Sequence, residues 1–269
     1  MLKPPQTIII LDFGSQYTQL IARRFREAEV YCEIHPYNTP LPRIKALNPI
    51  GLVLSGGPAS VYEEDAPLPD REIFDLGIPL LGICYGMHAA ARLFGGKVSR
   101  ADHKEFGPAE LNILRESPLF AGMQRQGRVW MSHGDLVSRL PEGYTHTASA
   151  PNAEYAAAEN PARKIYLVQF HPEVTHTDDG ARIIRNFAYN ICGAEGGWTP
   201  EYFVSHYVDR IREILQGEKV ICALSGGVDS TVTAALLHKA APEQTLSVFV
   251  DNGLLRLGDR ELVEKKLKG

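Results

Sequence analysis

Three short runs of unbroken apolar residues constrain this chain more than any other feature. Residues 7–11 (TIIIL), 51–55 (GLVLS) and 79–84 (PLLGIC) are too short for helices, show no polar alternation, and are separated by helical patterns. Strands without a polar face are buried on both sides, which requires a parallel sheet covered by helices above and below. The first run leads into a predicted helix with Leu20, Ile21 and Phe25 on its apolar face.

From about 97 to 170 the pattern changes. ELNIL, RVWMS, EYAAAE and KIYLVQF crowd together between turn residues, which predicts antiparallel additions to the sheet. Residues 178–192 predict a closing helix carrying Ile183, Ile184 and Phe187 inward. The Gly- and Pro-rich stretch 193–200 reads as a linker. Beyond it come a helix (EYFVSHYVDRIREIL) and a new βαβ pattern built from KVICALS, a glycine turn, STVTAALLHKA and TLSVFVDNG. The expected architecture is α/β, with an open, mostly parallel, flavodoxin-like sheet over 1–192 and the start of a Rossmann-like unit over 201–269. Two parallel strands cannot bury both their faces, so the second unit is expected to be incomplete.

Composition narrows the function classes. Hydrophobic residues at 44% and charged residues at 22% fit a soluble globular protein. A net charge of −4 gives no reason to expect nucleic acid or an anionic membrane as partner. No apolar run approaches the roughly 18 to 20 residues of a membrane span, and the first residues do not read as a signal peptide. Cys32, Cys84, Cys192 and Cys222 form no C-x-x-C pair, which favours a reducing cytoplasm over a disulfide framework or a metal cluster.

Cys84 has a distinctive setting. Gly82-Ile83-Cys84-Tyr85-Gly86 closes a buried strand and opens a helix (MHAAARLF), the cysteine counterpart of a G-x-S-x-G elbow. Small neighbours allow the close backbone approach of such a turn. The helix start presents unpaired N–H groups that favour thiolate over thiol and can stabilise an oxyanion. A lone cysteine is more often a buried structural residue, so the elbow needs a base. His171 supplies one at the end of KIYLVQF, held extended by Pro172, with Glu173 two residues on to orient the imidazole.

LSGGP (54–58), GICYG (82–86) and QFHPE (169–173) resemble, in order, the three signature segments of class I glutamine amidotransferases. The resemblance implies a triad of Cys84, His171 and Glu173 and an oxyanion hole from the N–H groups of Gly57 and Tyr85. It places Gly56 and His88 at the glutamine pocket, and His133, Gly134 and Asp135 of WMSHGD at that pocket or at the domain face, with His133 and Asp135 as exposed polar candidates. One departure stands out: the family usually has glutamine where this chain has His88, which implies altered glutamine binding.

A second motif follows the linker. Ser225-Gly226-Gly227-Val228-Asp229-Ser230 sits between a strand and a helix, where successive N–H groups form an anion nest. Ser225 and Ser230 add hydroxyls, Asp229 could help hold Mg²⁺, and the absence of G-K-[ST] excludes a Walker A loop. The segment is similar to the pyrophosphate loop of N-type ATP pyrophosphatases, which places Thr231 in the same site. Val250 and Asp251, in VDNG, resemble the adenosine side. The joined motifs resemble glutamine-dependent carbon–nitrogen ligases of purine biosynthesis, which use ATP and Mg²⁺ to adenylate and aminate xanthosine monophosphate. The resemblance implies GMP, AMP and pyrophosphate as products, a homodimer at full length, and only the glutaminase half-reaction for this chain. The alternatives are a stand-alone glutaminase serving another synthase, a cysteine peptidase or hydrolase, and a non-catalytic nucleotide- or partner-binding fragment.

Overall fold

The structure is a computed structural model; it describes residues 6–251 together with 253, 258, 260, 261 and 265. The chain divides into two compact units, with the boundary between Trp198 and Thr199. Each is described by itself.

The first unit is built on one nine-stranded sheet in the order β2-β1-β3-β4-β9-β8-β7-β5-β6. Here β1 is Thr7–Asp12, β2 Tyr31–Pro36, β3 Gly51–Leu54, β4 Leu80–Ile83, β5 Lys97–Ile113, β6 Gln126–Arg139, β7 Thr145–Ala150, β8 Ala153–Asn160 and β9 Ile165–Val168. The five strands from β2 to β9 pair in parallel, the flavodoxin-like arrangement with its switch point between β1 and β3. The three apolar runs are its central strands, fully buried along β3 and β4.

Two placements differ from the expectation. KIYLVQF becomes β9, which pairs in parallel with β4 and antiparallel with β8; its unbroken buried run is the mark of a central strand, not of an antiparallel addition. Tyr31–Pro36 forms an edge strand that the apolar runs did not announce, because only part of it is buried.

Helix α1 (Thr18–Glu27) buries Ile21, Ala22 and Phe25 on one sheet face. Helix α3 (Tyr85–Leu93) packs on the opposite face with Met87, Ala89, Ala90 and Ala91; a short α2 covers Leu41–Ala46. The closing helix is shorter than expected. α4 (Gly180–Arg185) passes into a π-helical turn over Asn186–Ile191. The wider turn lets Cys192 N donate to Phe187 O, while the Asn186 amide donates to Leu119 O and Ala121 O. Residues 193–198 stay with this unit: Trp198 N donates to Glu29 O and its ring lies 4.5 Å from that of Tyr31.

The second unit holds α5 (Pro200–Leu215), β10 (Val220–Leu224), α6 (Val228–Ala240) and β11 (Thr245–Phe249), the strands paired in parallel. One face of this two-stranded sheet buries Cys222 and Leu224 against Ala234, while Ile221, Leu246 and Val248 are exposed on the other.

Candidate active site

Cys84 follows the last residue of β4 as the N-cap of α3, with φ +50° and ψ −103°. A left-handed backbone at a non-glycine residue costs on the order of 1–3 kcal/mol and persists only where surroundings enforce it. They do so here. Cys84 N donates to Val168 O at 2.8 Å, and Gly86 N to Ser55 O at 3.1 Å. The flanking glycines are a packing requirement: a Cβ on Gly86 would lie 2.5 Å from Leu54 O, and one on Gly82 2.8 Å from a Leu167 methyl.

His171 and Glu173 leave the neighbouring strand, β9. His171 Nδ1 lies 2.7 Å from Glu173 Oε1, and both residues are buried. The backbone beneath is pinned by His171 N donating to Trp130 O and by the Thr177 hydroxyl donating to His171 O. The Tyr17 ring meets the imidazole edge-on at 5.1 Å. Burial disfavours the imidazolium, but the Glu173 charge and the hydrogen bonds with Cys84 and Glu173 outweigh it, raising the His171 pKa well above its ordinary value. Gly56 marks where these side chains converge: a Cβ there would lie 3.2 Å from His171 Cε1 and 3.8 Å from Cys84 Cβ.

Cys84 opens into a cavity of about 700 Å³, within the size range of small-molecule sites. Gly57, His88, His133, Gly134, Asp135 and His171 line it with the cysteine. Gly57 must be glycine because a Cβ would lie 2.7 Å from Phe13 O. The Tyr85 side chain points elsewhere, its hydroxyl donating to Pro67 O at 2.8 Å. The Tyr85 N–H lies in the first turn of α3, where no earlier helical carbonyl can reach it.

His133 and Asp135 are not exposed, contrary to the expectation; both are buried. WMSHGD lies within β6, and side chains two apart share a face, so His133 and Asp135 point inward with Val129 and Met131. Asp135 accepts from the Ser60 hydroxyl at 2.5 Å and the Tyr62 hydroxyl at 2.8 Å. His133 Nε2 lies 3.3 Å from Glu105 Oε2, and burial lowers its pKa despite that carboxylate.

His88 is buried one turn into α3, where desolvation lowers its pKa to about 4. Its Nε2 lies 2.8 Å from Gln169 Oε1, and Gln169 Nε2 donates to Cys84 Sγ at 3.8 Å. Sequence reasoning gave Gln169 no role. The signal was present: two residues before His171, it faces the same side of the extended chain. The Ser132 carbonyl, which accepts from the Cys84 thiol at 3.7 Å, carried no side-chain signal at all.

In the second unit, Gly226 has φ +80° and Gly227 caps α6. The Ser225 and Ser230 hydroxyls lie 3.0 Å apart, Ser230 Oγ accepts from Ser225 N at 3.2 Å, and Gly227 N donates to Ser225 Oγ. The first helical bonds are made by Thr231, from its N–H and its hydroxyl to Gly227 O. The N–H groups of Val228, Asp229 and Ser230 precede them and point out of the helix start. Among the described residues no group of three or more His, Cys, Asp or Glu could hold a metal ion, so Asp229 is not part of such a group. Val250 is exposed, and Asp251 Oδ1 accepts from Gly253 N; Asn252 of the same VDNG segment lies outside the described residues.

Residues 9–191 match the family glutamine amidotransferase class-I, and residues 218–257 match the tRNA methyl transferase HUP domain. The chain is 54% identical to GMP synthase [glutamine-hydrolyzing] of Wolinella succinogenes over 266 residues, 97% of this chain and 51% of the relative. It is 52% identical to the enzyme of that name from Caldicellulosiruptor saccharolyticus, over 98% of this chain and 52% of the relative. The chain thus spans about half the length of the curated relatives it matches. Among solved structures, a protein from Thermoplasma acidophilum provisionally assigned as one subunit of a GMP synthase matches with a TM-score of 0.64 and 34% identity, over 71% of this chain and 95% of that one. A glutamine amidotransferase from Thermotoga maritima shares the fold at a TM-score of 0.53 and 20% identity, over 99% of this chain and 100% of that one.

Proposed function

Because the chain belongs to the class I glutamine amidotransferase family, we propose that its first unit hydrolyses glutamine to glutamate and ammonia with Cys84 as nucleophile. The observation that carries this reading is the buried series Glu173, His171, Cys84, in which a 2.7 Å contact to Glu173 supports a His171 imidazolium beside the sulfur. An imidazolium next to a cysteine holds the thiolate as an ion pair and keeps a proton ready for the leaving group. The thiolate attacks the amide carbon, and the N–H groups of Gly57 and Tyr85 receive the oxyanion. His171 protonates departing ammonia, then takes a proton from the water that hydrolyses the thioester. Gly56, His88, His133, Gly134 and Asp135 surround the substrate. Ammonia release from glutamine tests the reading: Cys84→Ala lowers it at least about a thousandfold, and undiminished turnover in that variant, or faster cleavage of peptides than of glutamine, would overturn it.

The ammonia serves, in this reading, the amination of xanthosine monophosphate to GMP by a protein of about twice this length. The support is similarity to the two glutamine-hydrolysing GMP synthases over nearly the whole chain. The loop from Ser225 to Thr231 fits a pyrophosphate: a positive-φ glycine, first-turn N–H groups and two hydroxyls converge there. Asp229 would supply one carboxylate to Mg²⁺, whose other ligands would be phosphate oxygens and water. When bound, Mg²⁺-ATP supplies the activated leaving group for amination. Val250 and Asp251 would flank the adenosine, and the full-length protein would be a cytoplasmic homodimer. A stand-alone glutaminase is the second reading, favoured by the Thermoplasma acidophilum protein, nearly all of which is matched here. Mg²⁺-ATP titration separates the two: Ser230→Ala weakens binding about tenfold in the first reading, and no binding by the unsubstituted chain supports the second.

A further inference from the structure

The resemblance implies a glutamine at position 88, and the geometry gives the His88 found there a specific partner. His88 projects from the first turns of α3 into the floor of the cavity beneath Cys84. Its Nε2 meets Gln169 Oε1 at 2.8 Å, and the other end of that amide, Nε2, reaches Cys84 Sγ at 3.8 Å. All three residues are at least 95% buried, at 3%, 0% and 5% exposure, so water does not compete for these contacts.

A primary amide has one accepting and one donating end. A thiolate accepts and cannot donate, so the Gln169 end facing it must be the NH₂ group. The carbonyl end then faces His88 and requires a donor there, which the Nε2–H tautomer of a neutral histidine provides. Burial keeps that ring neutral, with its pKa lowered to about 4. The charged and titratable groups around the same cavity are His171 from the segment after β9, His133 and Asp135 from β6, Arg100 and Lys104 from β5, Tyr62 and Glu63 from the segment after β3, and Tyr17 from the segment after β1.

We infer that His88 is a positioning residue that acts through Gln169, fixing the amide so that its NH₂ donates to the Cys84 thiolate. This rests on Cys84 being the glutaminase nucleophile, but it concerns the sulfur before substrate arrives. A second donor beside the imidazole stabilises the thiolate and holds the sulfur in one orientation, so that attack follows a single trajectory.

The test is the pH profile of Cys84 alkylation by iodoacetamide on the whole chain, followed by mass spectrometry of the Cys84 peptide. Gln169→Met removes the donor at similar volume; the midpoint of the profile moves up, with alkylation about three- to tenfold slower at a fixed pH below it. His88→Phe moves it in the same direction by a smaller amount, and the double variant adds nothing to Gln169→Met. His88→Gln, which keeps a donor, restores the native profile. His88→Asn, polar but too short to reach Gln169, reports in place of any variant that loses its near-ultraviolet circular dichroism, and behaves as His88→Phe. A native profile in Gln169→Met, or in both His88→Phe and His88→Asn, would overturn the inference. A native profile in the His88 variants with only the KM for glutamine raised would assign His88 to direct substrate contact instead. Because alkylation needs no glutamine, absence of glutaminase turnover would sink the proposed function while leaving this result readable.

Discussion

His88 shows how one residue couples the site to the stability of the whole chain. Its pKa in the folded chain is lowered to about 4, while an unfolded histidine titrates near 6.5. Folding therefore favours the neutral ring. That contribution is complete above pH ~6.5 and is lost as pH falls toward 4, and its full size is on the order of 3 kcal/mol. Urea unfolding at pH 7 and pH 4.5 checks it: the native chain loses more stability between these values than His88→Gln does. Equal losses would mean that His88 is not buried neutral. His171 carries the opposite sign, since a raised pKa contributes stability below pH ~6.5 that disappears as pH rises through the folded value.

At the scale of elements, β6 and the segment after β3 are tied by a single carboxylate. Asp135 accepts hydroxyls from both Ser60 and Tyr62, which holds residues 57–62 against the cavity that Cys84 opens into. Asp135→Asn loses the charge that strengthens both hydrogen bonds, each worth about 1.5–3 kcal/mol. The expected outcome is a KM for glutamine raised about tenfold with kcat changed less, measured by steady-state kinetics; an unchanged KM would show that the tie does not shape the pocket. The elements themselves were legible to different degrees. β1, β3 and β4 were plain because burial on both faces leaves unbroken apolar runs. β2 was not, because an edge strand mixes its faces. Cys84, His171 and Glu173 were readable because strand ends and glycines announce an elbow. Gln169 carried a signal only in its spacing from His171, and the Ser132 carbonyl carried none, because its contact arises only when β6 and the segment after β9 are brought to the same sulfur.

For the whole molecule, the two units differ in what they bury. The first contains two large apolar clusters, one on each face of a nine-stranded sheet. The second has one small cluster around Cys222, Leu224 and Ala234, with Ile221, Leu246 and Val248 exposed. Stability scales with apolar area removed from water, so the second unit opens more readily. Limited proteolysis of the whole chain will leave a resistant fragment ending near Trp198, identified by mass; uniform degradation of both units would contradict this.

Strands β4 and β9 are immediate neighbours, with Ile83 aligned to Val168. Cys84 follows one of these strands directly and His171 follows the other three residues on, and the strand spacing of about 4.8 Å is set by backbone geometry. His171 stands three residues beyond β9 and is tied back to the sheet by its N–H on Trp130 O, so heating will not silence the site before it loosens the sheet. Thermal inactivation and loss of β structure should therefore share one midpoint, so that the enzyme fails as a lattice fails, all at once.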